Sequence, residues 1–319
     1  MARLRPAAAV AAVLMAALLG ACTSGVYAET QIPTATPSAT PTTSSTPTPV
    51  PDCGEPRQSY DPVPSLTTAA ANNAVAVIKT RGYLIAGVSA DSLLLGSRNP
   101  VTNVIEGFDI DMVHAVAQAI FGDPNKVQLV VISSAQRTDV LEKRQVDIVV
   151  RNMTMNCDRW STIAFSSEYY QSGLKILVKK GDKTTSLAGL AGKKVCAPTT
   201  TSSLTAVQKT PGVIPVGAAT HTGCLVLFQN GEVDAIAGDD TVLAGLAKQD
   251  PYAFVPQIQP LSSEPYGIGV NKGQIDFVRY INRVVDTVKS DGRWKASYDK
   301  WFAVLGPAPA PPQSLYGRG

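Results

Sequence analysis

The five cysteines of this sequence, at positions 22, 53, 157, 196 and 224, are the residues whose chemistry follows most directly from their positions. Cys22 follows a short apolar N-terminal run, and the other four lie in the body of the chain. An even number of cysteines in an exported chain predicts two disulfides, because the compartment is oxidising. Four cysteines allow three pairings. We favour Cys196 with Cys224, which flank one helical segment, and therefore Cys53 with Cys157.

The other residue types do not favour metal binding or catalysis. The two histidines, His114 and His221, lie far apart in helix-like segments, and the sequence has no C-x-x-C pair. We therefore interpret both histidines as surface or helix-capping residues rather than ligands. The G-x-S-x-G nucleophile motif and the Walker lysine motif are also missing from the sequence. These patterns predict no metal, no cofactor and no enzymatic activity.

The N-terminus has the pattern of a secretion signal. Arg3 and Arg5 precede an apolar run over residues 7–19, which is too short to span a membrane. The run ends in Leu-Gly-Ala-Cys, which resembles a bacterial lipobox, so residues 1–21 are predicted to be removed and Cys22 to be lipidated. An ordinary signal peptide cleaved elsewhere is the alternative. That alternative leaves an odd thiol among five cysteines.

Composition predicts a tether before the folded body and a tail after it. Residues 23–51 are dominated by Thr, Ser, Pro and Ala, which cannot bury enough surface to fold, so we assign residues 22–66 to an extended tether. Residues 307–319 are predicted to form a proline-rich tail. Removing Arg3 and Arg5 from the 28 basic residues leaves 26 against 25 acidic residues, which excludes a strongly basic nucleic-acid-binding protein.

Between residues 69 and 305, apolar strands alternate with helical stretches, a pattern typical of α/β folds with parallel sheets. In residues 107–122, for example, apolar side chains recur at three-to-four spacing and predict an amphipathic helix. The predicted strands are 83–88, 127–132, 147–150, 174–178, 194–197, 213–216, 235–237 and 268–270. The other predicted helices are 138–143, 203–208, 221–230, 241–248, 274–289 and 292–301.

Six stretches carry a family resemblance: RGYLIAGV, EGFDIDMVHAVAQAI, QVDIVVRNMTMNCDRWSTIAFSSEYYQSGLKILV, LAGKKVCAPTTTSSL, EVDAIAGDDTVLAGL and DGRWKASYDKWF. As a set they resemble the polar amino-acid-binding proteins of bacterial ABC importers, and most of all the actinobacterial glutamine/glutamate-binding lipoproteins. The resemblance implies an α/β, two-lobed periplasmic-binding-protein-like fold of type II, with two crossovers between lobes near residues 172–176 and 264–269. Residues 67–173 and 268–306 would form the first lobe, and residues 174–267 the second.

The resemblance also implies how a free amino acid is held. Its carboxylate needs a guanidinium and N–H donors, and its ammonium needs a carboxylate and neutral acceptors. Arg159 matches the family arginine that grips the carboxylate, although an arginine after a strand is more often on the surface. Asn152 and Thr154 match loop positions that contact the ammonium. Asp239 matches the aspartate that pairs with it, unless Asp240 takes that role and Asp239 caps the helix.

In the second lobe, Thr201 and Ser202 match the donors at a helix N-terminus, where unpaired N–H groups favour an anion. Ser203 either assists them or simply caps the helix, whereas for Thr201 and Ser202 capping and binding are compatible. Tyr170 and Tyr266 form either an aromatic platform for the ligand or part of the core. The residues alone leave both interpretations open.

Two departures from the family pattern concern the side-chain end of the ligand. Pro198 stands where many relatives have a basic residue, and the stretch SADSLLLGSRNP has aliphatic residues in place of an aromatic lid. Arg98 in that stretch and Arg151 beside Asn152 could supply a cation, or could lie on the surface. Because a buried carboxylate requires a cation, we predict a preference for glutamate or aspartate over glutamine or asparagine.

The resemblance implies a lipid-anchored protein on the extracytoplasmic face of the cell membrane that delivers its amino acid to an ABC importer permease. One alternative is an amino-acid-sensing partner of a membrane signalling protein. Another is an enzyme similar to cyclohexadienyl dehydratase, because the same fold hosts catalysts. The anchor, the tether and the missing catalytic motifs favour delivery.

Overall fold

Two mixed β-sheets with packed helices, and a small three-stranded sheet, organise the chain in the computed structural model, which describes residues 52–67 and 73–319. The strands are β1 Leu84–Val88, β2 Asp91–Ser92, β3 Gly96–Arg98, β4 Ile105–Glu106, β5 Val127–Val131, β6 Ile148–Val149, β7 Ile163–Phe165, β8 Tyr170–Lys179, β9 Lys194–Pro198, β10 Ile214–Ala218, β11 Ala235–Asp239, β12 Ala253–Phe254, β13 Ser263–Tyr266 and β14 Gly269–Asn271. The α-helices are α1 Asn73–Arg81, α2 Phe108–Phe121, α3 Arg137–Glu142, α4 Cys157–Thr162, α5 Ser202–Lys209, α6 His221–Gln229, α7 Asp240–Gln249, α8 Ile275–Ser290 and α9 Arg293–Trp301.

The first sheet has the order β5-β1-β6-β14-β7, and the second has the order β10-β9-β11-β8-β12. The predicted parallel pairing is found in both sheets, between β1 and its neighbours β5 and β6 and between β9 and its neighbours β10 and β11, but each sheet also has antiparallel pairs. In the first sheet β14 runs antiparallel to β6 and β7, and in the second β8 runs antiparallel to β11 and β12. The antiparallel strands are the two at the connections between the sheets: β8 leads into the second sheet, and β14 returns to the first sheet after β13.

The long strand β8 joins the two lobes. Its first half pairs antiparallel with β13, with Tyr170 opposite Tyr266 and Gly173 opposite Ser263. Its second half lies in the second sheet, where alternate side chains enter the apolar clusters on the two faces. The paired segments of β8 and β13 overlap in part with the crossovers predicted near residues 172–176 and 264–269. They hold polar groups of both lobes next to each other.

Both predicted disulfides are confirmed. Cys196 of β9 is bonded to Cys224 of α6, and Cys53 is bonded to Cys157 at the start of α4. The first bridge ties a helix to the second sheet within one lobe. The second connects residues 104 apart in sequence and fastens the N-terminal segment to the first lobe.

Residues 58–59 and 315–316 pack on the first lobe, so the predicted tether and tail extend too far into the folded body. Gln58 forms a parallel bridge with Leu315, and the Ser59 N–H donates to the Leu315 carbonyl at 2.8 Å. The hydroxyl of Tyr316 donates to Asp286 of α8 at 2.7 Å. These contacts use backbone atoms and single polar side chains, which a proline-rich composition does not forbid.

The predicted signal peptide, Cys22 and residues 23–51 lie outside the described residues. Within residues 52–67 and 73–319, no helix combines the length and the apolar character needed to cross a membrane.

Removal of the bridge in the second lobe tests its contribution to stability. The double variant Cys196→Ala/Cys224→Ala should lose about 3 kcal/mol of unfolding free energy, because its unfolded chain gains the entropy that a closed loop of this length removes. Chemical denaturation monitored by circular dichroism measures the change. Unfolding free energy equal to that of the wild type would contradict the prediction.

Candidate functional site

The predicted site residues come together where strands of both lobes end. The loop after β6 carries Asn152 and Thr154, β11 ends at Asp239, and Arg159 follows on α4. Asp239 interacts electrostatically with Arg159, and both interact with Glu264 of β13. The result is a buried cluster of charged and polar groups between the lobes.

Arg159 is buried in α4, and the helix start fixes its backbone. The Asn156 side chain accepts from the Arg159 N–H at 2.9 Å, and Arg159 Nη1 donates to the Thr154 carbonyl at 2.6 Å. Its other guanidinium N–H groups make no hydrogen bond within the described residues. Burial lowers the pKa of Arg159, whereas the negative charges of Glu264 and Asp239 raise it. The guanidinium therefore has donors available for a carboxylate.

A buried carboxylate fixes the loop after β6. Asp109 of α2 accepts from the Asn152 N–H at 2.8 Å and from the Tyr169 hydroxyl at 2.7 Å. Asn152 has a φ of 35°, and such left-handed conformations outside glycine often mark functional loops. Its Oδ1 atom is buried and has no hydrogen-bond partner in the described part of the chain. That oxygen is available to accept from a ligand.

Asp239 offers a second acceptor of this kind. Its Oδ2 accepts from the Tyr266 hydroxyl at 2.7 Å, whereas its buried Oδ1 has no partner among the described residues. Burial, followed by the charge of Glu264, raises the pKa of Asp239 to about 7. Asp240 instead accepts from the Ser172 hydroxyl at 2.6 Å. Of the two adjacent carboxylates, Asp239 is the one that faces the cluster, and Tyr266 positions it.

Glu264 bonds to groups from both lobes. Its Oε2 accepts from the Thr154 hydroxyl at 2.8 Å and from the Ser202 hydroxyl at 2.7 Å. Thr201 uses its own hydroxyl to cap α5, where it accepts from the Leu204 N–H at 3.1 Å. The side chain of Thr201 is therefore a cap, and the side chain of Ser202 reaches the cluster.

The two arginines predicted near the side-chain end of the ligand, Arg151 and Arg98, lie in different environments. Arg151 is 3% exposed, and it donates from Nε to the Ile132 carbonyl at 2.8 Å and from Nη1 to the Ser134 hydroxyl at 2.7 Å. Arg98 is exposed and donates to Asn103 of its own hairpin. Arg151 is thus buried where it interacts with the negative charges of Asp91 and Asp109, and no contact among the described residues joins Arg98 to the cluster.

His221 is a neighbour of the site that the sequence reasoning missed. It is buried, and its Nε2 has no hydrogen-bond partner in the part of the chain that the structure describes. A Cβ on Gly238 would lie 2.7 Å from this nitrogen, so glycine gives the ring its space. Burial, followed by the charge of Arg151, lowers the pKa of His221 to about 4. The prediction of a surface position is wrong, because α6 packs its first turn against β11.

Arg137 is the other missed residue. It is 3% exposed at the start of α3 and donates to the Ser134 carbonyl at 2.9 Å and the Asn152 carbonyl at 3.1 Å. Burial, followed by the charges of Arg159 and Arg151, lowers its pKa. No signal in the sequence indicates it, because residues 133–136 separate it from the predicted strand 127–132 and contacts with a distant loop bury it.

The cluster has two complementary halves. Arg159 presents N–H donors for an anion, while Asn152 Oδ1 and Asp239 Oδ1 are acceptors for a cation. A small molecule with both a carboxylate and an ammonium group satisfies both halves at once. Within the described ranges, no group of three or more His, Cys, Asp or Glu side chains could hold a metal ion. The fold and this cleft define a two-lobed binding protein for a small polar solute.

Comparison with known proteins agrees with this class. Residues 84–304 match the bacterial extracellular solute-binding proteins, family 3, and the chain belongs to this family. It is 35% identical to the ABC transporter glutamine-binding protein GlnH of Bacillus subtilis, over 72% of this chain and 84% of that protein. It is 28% identical to the glutamate-binding protein GluB of Corynebacterium efficiens, over 67% and 76%. The structure of an ancestral arginine-binding protein bound to glutamine superposes with a TM-score of 0.65 and 31% identity, over 70% of this chain and 98% of that one.

The raised pKa of Asp239 predicts that this carboxylate destabilises the ligand-free protein at neutral pH. A carboxyl group whose pKa is raised on folding stabilises the folded state while it is protonated, and that stability is lost as the pH rises through about 7. At pH 7.5, Asp239→Asn should therefore have a higher free energy of unfolding than the wild type, by up to about 4 kcal/mol. The difference should shrink at pH 5.

Denaturation of the two ligand-free proteins at both pH values measures this, with the exposed Asp276→Asn as the matched control. If Asp239→Asn is no more stable than the wild type at pH 7.5, the prediction that burial of the charged carboxylate lowers the free energy of unfolding is wrong.

Proposed function

We propose that this protein captures a polar L-amino acid on the extracytoplasmic face of the cell membrane and delivers it to the permease of an ABC importer. The proposal rests mainly on two buried acceptors without partners in the described chain, Asn152 Oδ1 and Asp239 Oδ1. The Asp239 carboxylate also interacts electrostatically with the guanidinium of Arg159. Buried polar atoms without partners cost free energy, so a ligand that bonds to them binds with a corresponding gain. The glutamine-binding and glutamate-binding names of the relatives support the same ligand class.

In this proposal the α-carboxylate of the ligand accepts hydrogen bonds from Arg159, and its α-ammonium donates to Asp239 and Asn152. Backbone N–H groups at the start of α5, next to Thr201 and Ser202, add donors from the second lobe. A ligand that contacts both lobes favours the closed arrangement over the open one, which is the energetic basis of hinge closure.

The side-chain end of the ligand is proposed to lie near Arg151 and His221. Arg151 Nη2 has only a long contact of 4.0 Å with Asp91 Oδ1, which leaves it able to donate to a carboxylate. A carboxylate there would also favour protonation of His221, because a nearby anion raises the pKa of an imidazole. The NH2 group of a neutral amide would face the guanidinium of Arg151, which can only donate. We therefore propose glutamate or aspartate as the preferred ligand, ahead of glutamine or asparagine, with Arg98 in a minor role.

The membrane attachment in this proposal comes from a lipid on Cys22, with the segment that follows it as a tether. Family membership supports an extracytoplasmic location and a transport partner. The lipid, the permease contact and a role beside a membrane sensor are proposals from the sequence.

Loss of either charged anchor should remove binding. Arg159→Ala and Asp239→Ala each leave a ligand charge buried without its partner, at a cost of about 3–5 kcal/mol, or more than about 100-fold in affinity. Isothermal titration calorimetry, after a thermal-shift screen of the twenty amino acids, measures the loss. Arg293→Ala, an exposed arginine paired with Asp291, is the matched control.

Affinity within about threefold of the wild type in either variant would refute the assignment of that residue. Failure of the wild-type protein to respond to any amino acid would refute the proposed function itself.

Arg151→Ala should reverse the ligand preference. Wild type is expected to bind glutamate or aspartate more tightly than glutamine, and the variant should lose at least about tenfold for the acids because their side-chain carboxylate loses its cation. Arg98→Ala is the control and should change either affinity by less than about twofold. Calorimetry with all four ligands decides the point. Tighter binding of glutamine by the wild type, or unchanged acid affinity in Arg151→Ala, would contradict it.

A further inference from the structure

The segments on either side of the family region pack against the helix that carries Arg159. The family match covers residues 84–304, whereas residues 53–60 and 313–318 pair with each other and lie on α4. We call these two segments together the brace. On α4 it contacts the first and fourth residues of the helix, Cys157 and Trp160.

Arg318 joins the two halves of the brace. Its guanidinium donates to three carbonyl oxygens of the N-terminal segment: to Gln58 at 2.7 Å, to Cys53 at 3.1 Å and to Glu55 at 2.9 Å. The same guanidinium lies over the ring of Trp160, with 3.9 Å between its central carbon and the ring centroid. One residue near the C-terminus thus holds the N-terminal segment and covers a side chain of α4.

The N-terminal segment of the brace also contacts Trp160 directly. Its indole N–H donates to the Pro56 carbonyl at 2.7 Å, and its ring meets Tyr60 edge to face and Phe165 of β7. The disulfide from Cys53 fixes the other end of the helix at Cys157. Arg159 lies between these two fixed residues.

A helix of six residues is too short to be stable alone, so its orientation depends on its surroundings. Arg159 is held on the site side by one hydrogen bond from Nη1 to the Thr154 carbonyl, and its remaining donors must meet a ligand. A guanidinium binds a carboxylate well only in a narrow range of positions. The residues that pack around Arg159 therefore determine whether it stays in that range.

We infer that the brace positions Arg159 for its ligand, and that Arg318 is a positioning residue for solute binding. The inference rests on the proposed function, because it assumes that Arg159 contacts the solute. It assigns a role in the binding site to residues that lie outside the family region at both ends of the chain.

The test uses the full chain with Arg318→Ala, and glutamate as the ligand. Calorimetry should show affinity weaker by about fivefold or more, since Arg159 loses well-aligned charge-assisted hydrogen bonds. Hydrogen exchange should become faster at the amides of α4, and the amides of α7 in the other lobe should keep their wild-type rates.

Arg293→Ala should leave both measurements unchanged. Arg318→Lys, which keeps the charge over Trp160 but cannot reach all three carbonyls, should give an intermediate loss.

Wild-type affinity in Arg318→Ala, wild-type exchange at α4, or faster exchange throughout both lobes would overturn the inference. The last result would mean a general loss of stability rather than a displaced helix. If Arg318→Ala does not fold, the same criteria apply to Arg318→Lys. If the wild type binds no amino acid, the proposed function fails, and exchange at α4 still decides whether the brace holds the helix.

Discussion

The buried carboxylate of Asp239 is the constraint on which the rest of the site depends. It lies at the end of a strand of the second sheet, and its one hydrogen-bond donor among the described residues is Tyr266, from the segment that returns to the first lobe. The positive charges that interact with it, on Arg137 and Arg159, come from the first lobe. Neither lobe alone holds a balanced set of charges. In the proposed function, binding and lobe closure are therefore coupled through this one electrostatic arrangement.

This arrangement of buried charges lowers the free energy of unfolding of the ligand-free protein. Charged groups in the cleft occupy positions where apolar residues would pack without a desolvation penalty. Backbone strain accompanies them, because Asn152 and Thr200 adopt positive φ angles of 35° and 59° in the loops of the two lobes. Rigid sheets tolerate these features, since the strand ends that carry the loops are fixed by the two cores. A ligand that bonds to the unpartnered oxygens would recover part of the lost stability.

Much of the fold could be predicted from the sequence because it depends on local periodicity. The strand predicted at 127–132 is Val127–Val131, and the apolar pattern after Gly107 gives α2. Short elements such as α4 have no periodicity and were missed. Site residues that lie within contiguous motifs could be proposed, whereas His221 and Arg137 could not, because contacts between distant elements bury them. The brace could not be predicted for a related reason. Arg318 and Trp160 donate to backbone carbonyls, and any residue type can supply a carbonyl, so the sequence shows no pattern.

The most direct test of the account is a high-resolution crystal structure of the protein with glutamate. The account predicts the ligand between the lobes, with its ammonium in hydrogen-bond contact with Asp239 Oδ1 and Asn152 Oδ1 and its α-carboxylate on the guanidinium of Arg159. A ligand bound elsewhere, or one whose carboxylate and ammonium are exchanged relative to these groups, would contradict it.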